Sequence, residues 1–179
     1  MKIAIIGFPR SGTQYTARLF THAGIKLGHE HREKDGTVSW KELPNTDEFD
    51  TVLLQVRHPL DTISSAETIQ NASVGHMVKL LDFKSPDTYS HRTELLMALW
   101  LEYTKQAEEK AHSFFQVEEL PEIWNHLLNT MNKTYRPMPN VRTNINTRKH
   151  DSLNWSTLHR LNPDLTRQLH YKASHYGYI

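Results

Sequence analysis

The chain has no cysteine among its 179 residues and no long hydrophobic run. The missing cysteine excludes a disulfide scaffold, a thiolate zinc site and a cysteine nucleophile, and nothing points to an oxidising compartment. No apolar run reaches the roughly 18 residues of a membrane span. The N-terminus does not read as a signal peptide, because the apolar stretch Ile3–Ile6 ends at Gly7 and Pro9. The length predicts one domain over residues 1–179, which we expect in the cytoplasm.

The net charge of the whole chain is also small, at +1, but the charged residues are unevenly distributed. Residues 1–132 carry 13 Lys+Arg and 18 Asp+Glu, a net charge of −5, whereas residues 133–179 carry 8 and 2, a net charge of +6. Between Lys133 and His150 there are five basic residues and no acidic one. That composition suits an anionic ligand, but it also describes a solvated basic loop. Because the whole chain is not basic, we expect no nucleic-acid partner.

The spacing of apolar residues predicts strands that alternate with helices. The predicted strands are Lys2–Ile6, Thr51–Val56 and Ser113–Val117. The predicted helices are Thr13–Ala23, Pro59–Gln70, His91–His112, Pro121–Met131, Ser156–Leu161 and Pro163–Tyr176. Residues 25–50 are polar and interrupted by glycine and proline, so we expect no core element there, and residues 71–90 show no clear period. This order predicts a single α/β domain with a mainly parallel central sheet flanked by helices.

The first candidate site is the glycine-bearing loop between the first strand and helix. Backbone amides in such a turn, at a helix N-terminus, bind phosphate groups well, although an ordinary strand-to-helix turn also favours glycine and serine. The spacing of Gly7 and Gly12 matches the start of a nucleotide-triphosphate P-loop, but Thr13-Gln14 replaces its Lys-Ser/Thr pair. Arg10 supplies a cation from within the loop instead.

Two segments together resemble a known family. Pro9-Arg10-Ser11-Gly12-Thr13 resembles the 5′-phosphosulfate loop of sulfotransferases that use 3′-phosphoadenosine 5′-phosphosulfate (PAPS). The segment from Arg57 to Ser65 resembles their 3′-phosphate motif, in which an arginine and a serine have this same separation. Two simpler interpretations stay open: Arg57 could form a salt bridge with Asp61, and Ser65 could be a small packing residue.

The resemblance implies a P-loop-like nucleotide-binding architecture, PAPS as the sulfuryl donor, 3′,5′-ADP as the product and no required metal. A weaker match, from Arg148 to Trp155, is similar to a third nucleotide segment, although both of its glycines are absent. Tyr15 stands where cytosolic members have a tryptophan against adenine, or it is a core residue of the first helix. The binding residues that the resemblance implies are Arg10, Ser11, Gly12, Thr13, Gln14, Tyr15, Arg57, Ser65, Arg148 and Lys149.

Transfer to a hydroxyl also requires a general base. The family supplies it as a histidine or, in tyrosylprotein-type members, as a glutamate shortly after the first helix. Glu30 falls in the second position, with His29 and His31 as alternatives, while Arg10 would neutralise the leaving phosphate. His29 and His31 could instead be metal ligands or solvent-exposed loop residues.

The function that the resemblance implies is transfer of a sulfuryl group from PAPS to a hydroxyl or amine of a small-molecule or glycan acceptor. The alternatives are a P-loop-type kinase of a small metabolite and a non-catalytic module that binds PAPS or 3′,5′-ADP. Residues 25–50 and 66–90 are expected to line the acceptor site, and their polar composition does not distinguish a sugar, a phenol or an acidic glycan. Because the chain is short for the family, a second subunit could complete that site in a homo-oligomer.

Overall fold

The computed structural model describes residues 1–142 and 148–179, within which the chain forms five β-strands and seven α-helices. The remaining five residues, 143–147, belong to the basic stretch and lie outside the described residues. The strands are β1 (Ile3–Ile6), β2 (Leu27–His29), β3 (Gly36–Ser39), β4 (Thr51–Val56) and β5 (Ser113–Gln116). The helices are α1 (Thr13–His22), α2 (Pro59–Ala66), α3 (Asn71–Leu80), α4 (Arg92–Glu108), α5 (Leu120–Thr130), α6 (Trp155–Leu161) and α7 (Pro163–His175).

The strands form one sheet in the order β2-β3-β1-β4-β5, and every neighbouring pair is parallel. The prediction of a single α/β domain with a parallel central sheet is therefore confirmed. The chain leaves β1 toward β2 through α1, and it crosses to the other side of β1 between β3 and β4. In open parallel sheets, ligands bind beyond the carboxyl ends of the strands where the strand order reverses in this way.

Helices cover both faces of the sheet, as the continuous apolar sequence of β1 requires. Ile5 packs against α1 and α5, where the rings of Phe20 and Trp124 lie 5.0 Å apart. Ile6 points to the opposite face, which α2, α4 and α7 cover with residues that include the buried Trp100. This alternation along β1 divides the core into two layers, one on each side of the sheet.

The prediction that residues 25–50 hold no core element is wrong. They contain β2 and β3, and β3 pairs directly with β1. Neither strand has an apolar run like that of β1, because both contain glycine and polar residues. The pairing of β2 with β3 and of β3 with β1, rather than intrinsic propensity, therefore stabilises them. Gly36 is required at the start of β3, because its φ is 132° and an added Cβ would lie 1.8 Å from the carbonyl oxygen of Ile3.

Residues 71–90, which show no clear period in the sequence, contain α3. Its buried residues, Val74 and Met77, are too few to show a helical period in the sequence. The preceding helix ends at Ala66, four residues before the predicted end at Gln70. A short connector, residues 67–70, therefore separates α2 from α3.

The other predicted strands and helices are confirmed to within a few residues at each end. Among the helices of the described chain, none is both long enough and apolar enough to cross a lipid bilayer.

Candidate functional site

The carboxyl ends of all five strands reach one pocket, which has a volume of about 570 Å³. His29, the last residue of β2, lines this pocket. Trp40, Arg57 and Val117 line it from the positions that directly follow β3, β4 and β5. The loop after β1, residues 7–12, contributes the part of the wall next to α1. A pocket of this size suits one small organic ligand, at the edge of the sheet where such domains bind ligands.

The loop between β1 and α1 is curled, and it leaves backbone amides without partners. Arg10 and Gly12 have φ angles of 74° and 95°, in the left-handed region. From β4, Gln55 supports the loop by donating from Nε2 to the carbonyl oxygen of Ser11 at 2.7 Å. α1 begins at Thr13 with no side-chain cap and no acidic residue in its first turn. Its first amides are therefore suited to an anion.

The two motifs of the resemblance meet in this pocket. Nε of Arg10 donates to Oγ of Ser65 at 2.9 Å, and the guanidinium of Arg57 donates to the carbonyl oxygen of Arg10 at 3.2 Å. Ser65 is nearly buried, yet it lines the pocket rather than only filling the core. Arg57 and Asp61 both line the pocket, and no ion pair joins them in the part of the chain that the structure describes.

A third guanidinium, that of Arg148, lines the same pocket. One of its N–H groups donates to the carbonyl oxygen of Thr68 at 2.6 Å. Burial lowers the pKa of Arg10, and the positive charges of Arg148 and Arg57 lower it further. Three cations that repel one another around one pocket are stabilised when an anion lies between them.

The other predicted binding residues divide into two groups. Gly12, Thr13, Gln14 and Tyr15 line the pocket. Tyr15 also packs against the core beneath α1, as its interpretation as a core residue requires, and burial raises its pKa.

Ser11 and Lys149 do not line the pocket. Ser11 is 1 % exposed, and its Oγ has no hydrogen-bond partner among the described residues. Lys149 is exposed, and the next residue, His150, lines the pocket instead. Lys149, one of the predicted binding residues, therefore does not contact the pocket.

The three candidate bases are placed very differently. Nε2 of His29 lies 3.2 Å from Oε1 of Glu30 and 3.3 Å from Oγ1 of Thr13. His29 lines the pocket, whereas Glu30 lies behind it with its side chain 13 % exposed. His31 lies outside the pocket, with an exposed side chain 3.2 Å from Glu33. Only His29 and Glu30 are therefore close to the loop that begins α1.

The electrostatics of this pair favour proton transfer near neutral pH. Burial raises the pKa of Glu30 to about 7, while the ammonium of Lys41, 3.7 Å from Oε2, opposes that shift. Burial lowers the pKa of His29 to about 4, and the charge of Lys41 adds to this effect. At pH 7 the imidazole is thus neutral, and the carboxyl group is close to its own pKa. A group with such a pKa suits general acid or base catalysis.

Within residues 1–142 and 148–179, no group of three or more His, Asp or Glu side chains is arranged to hold a metal ion. His29 and His31, the candidate metal ligands, have different carboxylate partners, Glu30 and Glu33.

Sequence reasoning missed several residues around the pocket. Gln55 supports the loop and Trp40 forms a wall, yet neither belongs to a motif. A positional rule would have found Trp40, since a residue directly after a parallel strand lies at the ligand-binding edge. For Trp40 that rule depends on recognising β3, which the sequence pattern does not reveal.

Comparisons with known proteins do not extend these observations: no protein-family model, no curated protein and no solved structure matches the chain.

Proposed function

We propose that the chain binds PAPS in this pocket and transfers its sulfuryl group to an acceptor hydroxyl or amine. The observation that carries the proposal is the hydrogen bond from Arg10 to Ser65, together with the bond from Arg57 to the backbone of Arg10. Each motif alone is a short sequence resemblance. Their contact across 55 residues of chain is what a nucleotide with two separate phosphate groups would require.

The residues fit such a nucleotide in their chemistry. The oxygen of Ser65 accepts from Arg10, so its own hydrogen can be donated to a phosphate. Arg57 uses one N–H group on the backbone of Arg10, which leaves others for an anion. The amides at the start of α1 and the side chain of Arg10 would hold the phosphosulfate, and Tyr15 would contact the base.

In the proposed reaction, the acceptor oxygen forms a bond to sulfur while the bond from sulfur to the 5′-phosphate oxygen breaks. The acceptor proton passes to the pair formed by His29 and Glu30, and the leaving phosphate carries the negative charge. Arg10 and the α1 amides stabilise that charge as it develops. His29 faces the pocket, and Glu30 provides a carboxylate that accepts the proton or holds the imidazole in place.

The first test compares nucleotides by thermal shift. 3′,5′-ADP at 100 times its Kd is expected to stabilise the protein by about 2.7 kcal/mol, or roughly 5–10 °C in Tm for a chain of this size. Because the second phosphate is the distinguishing feature, 5′-ADP should give a clearly smaller shift. A larger shift with ATP and Mg²⁺ than with 3′,5′-ADP would instead support the kinase alternative.

Two adjacent serines provide a matched pair of variants. Ser65→Ala removes the partner of Arg10 and is expected to weaken 3′,5′-ADP binding about tenfold, the loss typical of a hydrogen bond to a charged group. Ser64→Ala is an equally buried control whose hydroxyl accepts from the amide of Leu153, outside the pocket. Equal nucleotide affinities in the two variants would contradict the proposed binding mode.

The second test measures transfer itself, with PAPS labelled in the sulfonate and a panel of hydroxyl acceptors. We expect labelled product that EDTA does not suppress. Arg57→Ala should abolish nucleotide binding, whereas Glu30→Ala should retain binding and slow transfer. Binding of 3′,5′-ADP without any labelled product would identify a non-catalytic binding module. Transfer that Glu30→Ala leaves unchanged would remove Glu30 from the proton-accepting pair.

A further inference from the structure

One wall of the pocket is not used by the nucleotide groups described above. It consists of Trp40, Ile69, Gln70 and Ser73, all of which line the pocket, and we call it the Trp40 wall. Its residues come from three places: the end of β3, the connector between α2 and α3, and the first turn of α3. This convergence of separate elements makes it a formed surface rather than one exposed loop.

Contacts between β3 and α3 hold the Trp40 wall in place. The ring of Trp40 packs edge to face against His76 of α3, with 5.6 Å between ring centroids. Nε2 of His76 also lies 2.9 Å from the carbonyl oxygen of Lys41. Ser73 precedes His76 by one helical turn, so the two lie on the same side of α3. The indole of Trp40 is therefore fixed beside Ser73.

The Trp40 wall adjoins the proposed proton-accepting pair. His29 at the end of β2 lies opposite Val38 of β3, two residues before Trp40, so these residues emerge from neighbouring strands at one edge of the sheet. Both side chains line the pocket. We therefore expect an acceptor hydroxyl whose proton passes to His29 to lie at the side of the pocket that the Trp40 wall forms.

The chemistry of the wall indicates what it would bind. Trp40 and Ile69 offer apolar surface, while Gln70 and Ser73 offer an amide and a hydroxyl, and none of the four carries a charge. The ammonium of Lys41, 5.6 Å from the ring centroid of Trp40, also lies 3.7 Å from Glu30. An aromatic surface flanked by neutral donors and acceptors complements a ring that bears several hydroxyl groups. A simple phenol, whose one hydroxyl would face His29, would leave the amide of Gln70 and the hydroxyl of Ser73 without partners.

We propose that the Trp40 wall binds a neutral pyranose ring and presents one of its hydroxyl groups to His29. This inference deepens the proposed function and rests on it for the position of the donor. Because a nucleotide would occupy most of the pocket volume of about 570 Å³, we expect no more than one terminal ring of the acceptor to enter. Any further sugar residues extend outward from the pocket mouth.

The test is a binding experiment that does not depend on turnover. Saturation-transfer NMR on the intact protein, with and without saturating 3′,5′-ADP, measures methyl β-glucopyranoside, methyl β-galactopyranoside and p-cresol as competing probes. We expect at least one of the glycosides to bind, with an affinity at least fivefold higher than that of p-cresol. Preference for p-cresol, or no binding of either glycoside, overturns the proposal.

Variants locate the site. Trp40→Phe keeps an aromatic ring against the core. This variant and Gln70→Ala are each expected to weaken glycoside binding about five- to tenfold while changing the Kd for 3′,5′-ADP less than twofold. Matched controls are Trp155→Phe and Gln168→Ala, since both residues lie outside this pocket. Glycoside affinity that responds equally to the controls overturns the assignment to the Trp40 wall.

The outcomes separate this inference from the proposed function. If the protein binds a glycoside in a way that depends on Trp40 but does not bind 3′,5′-ADP, the result would support the pyranose site at the Trp40 wall and refute PAPS-dependent transfer. Tight 3′,5′-ADP binding with transfer only to phenols would support the proposed function and refute the pyranose site.

Discussion

At the scale of single residues, Glu30 has both an unusual backbone conformation and a shifted pKa. Its φ is 64°, in the left-handed region, and its carboxyl group is buried beside a neutral histidine. Because burial raises the pKa of Glu30 to about 7, the protonated form is favoured by folding. The stabilisation from this protonated form is complete below the unfolded pKa, near 4.5, and is lost as the pH rises through about 7.

We therefore predict that Glu30→Gln stabilises the protein at pH 8. The neutral amide avoids ionisation in a buried site, and the expected gain is roughly 1–2 kcal/mol after allowance for partial solvation of the carboxyl group. Urea unfolding at several pH values between 4 and 8 measures this gain, which should shrink to about zero near pH 4. Glu33→Gln, at an exposed carboxylate on the same loop, is the control. A gain that does not vary with pH would disagree with the buried carboxyl group described here.

At the scale of elements, the connector between α2 and α3 is held by two arginines from different parts of the chain. Arg148 donates to the carbonyl oxygen of Thr68 at 2.6 Å, and Arg92 donates to that of Ile69 at 2.6 Å. Arg148 also lines the pocket, and the connector carries residues of the Trp40 wall. We therefore expect an anion that binds Arg148 to affect the wall through the connector.

We predict that 3′,5′-ADP slows hydrogen exchange at the amides of Thr68 and Ile69 about tenfold, because it fixes Arg148 and thereby the connector. These amides donate to the carbonyl oxygens of Ser65 and Ala66, so their exchange reports opening of this turn. In Arg148→Ala the slowing should be absent, whereas in Lys149→Ala, the exposed neighbour, it should persist. Undiminished protection in Arg148→Ala would show that the connector does not respond to the nucleotide through this contact.

Elements also show where sequence reasoning succeeds. Long helices and strands with a continuous apolar run, such as β1 and β4, were predictable, because their pattern follows directly from burial on one or both sides. β2 and β3 contain glycine and polar residues instead of such a run, and their pairing within the sheet decides their structure. The same limit applies to the site. Arg10, Arg57 and Ser65 follow from motifs, whereas Trp40 and Gln55 become site residues only through the sheet that brings them to the pocket.

At the scale of the whole molecule, the acidic and basic parts of the chain pack against each other. Lys133 pairs with Asp35 at 2.8 Å, and Lys172 pairs with Glu108. Lys133 and Lys172, two of the cations of residues 133–179, are thus matched by carboxylates of residues 1–132, while Arg148 lines the pocket. The near-zero net charge is the sum of a −5 part and a +6 part that pack against each other, and the positive charge at the pocket is supplied by individual arginines.

Apolar packing joins the same two parts, and this leads to a prediction about cooperativity. Leu169 of α7 is fully buried in the layer that also contains Ile6 and Trp100. Leu169→Ala should lower the free energy of unfolding by about 2–4 kcal/mol, because it leaves a cavity in a core shared by both parts of the chain. Since that core underlies the pocket, helical structure and 3′,5′-ADP binding should be lost at the same urea concentration, which circular dichroism and equilibrium binding measure in parallel.

Tyr171→Ala, at a side chain 73 % exposed on the same helix, should change stability by less than about 0.5 kcal/mol. Nucleotide binding that survives after the helical signal of the C-terminal segment is lost would mean that residues 133–179 form a separate folding unit, and that Arg148 is not needed to hold the nucleotide.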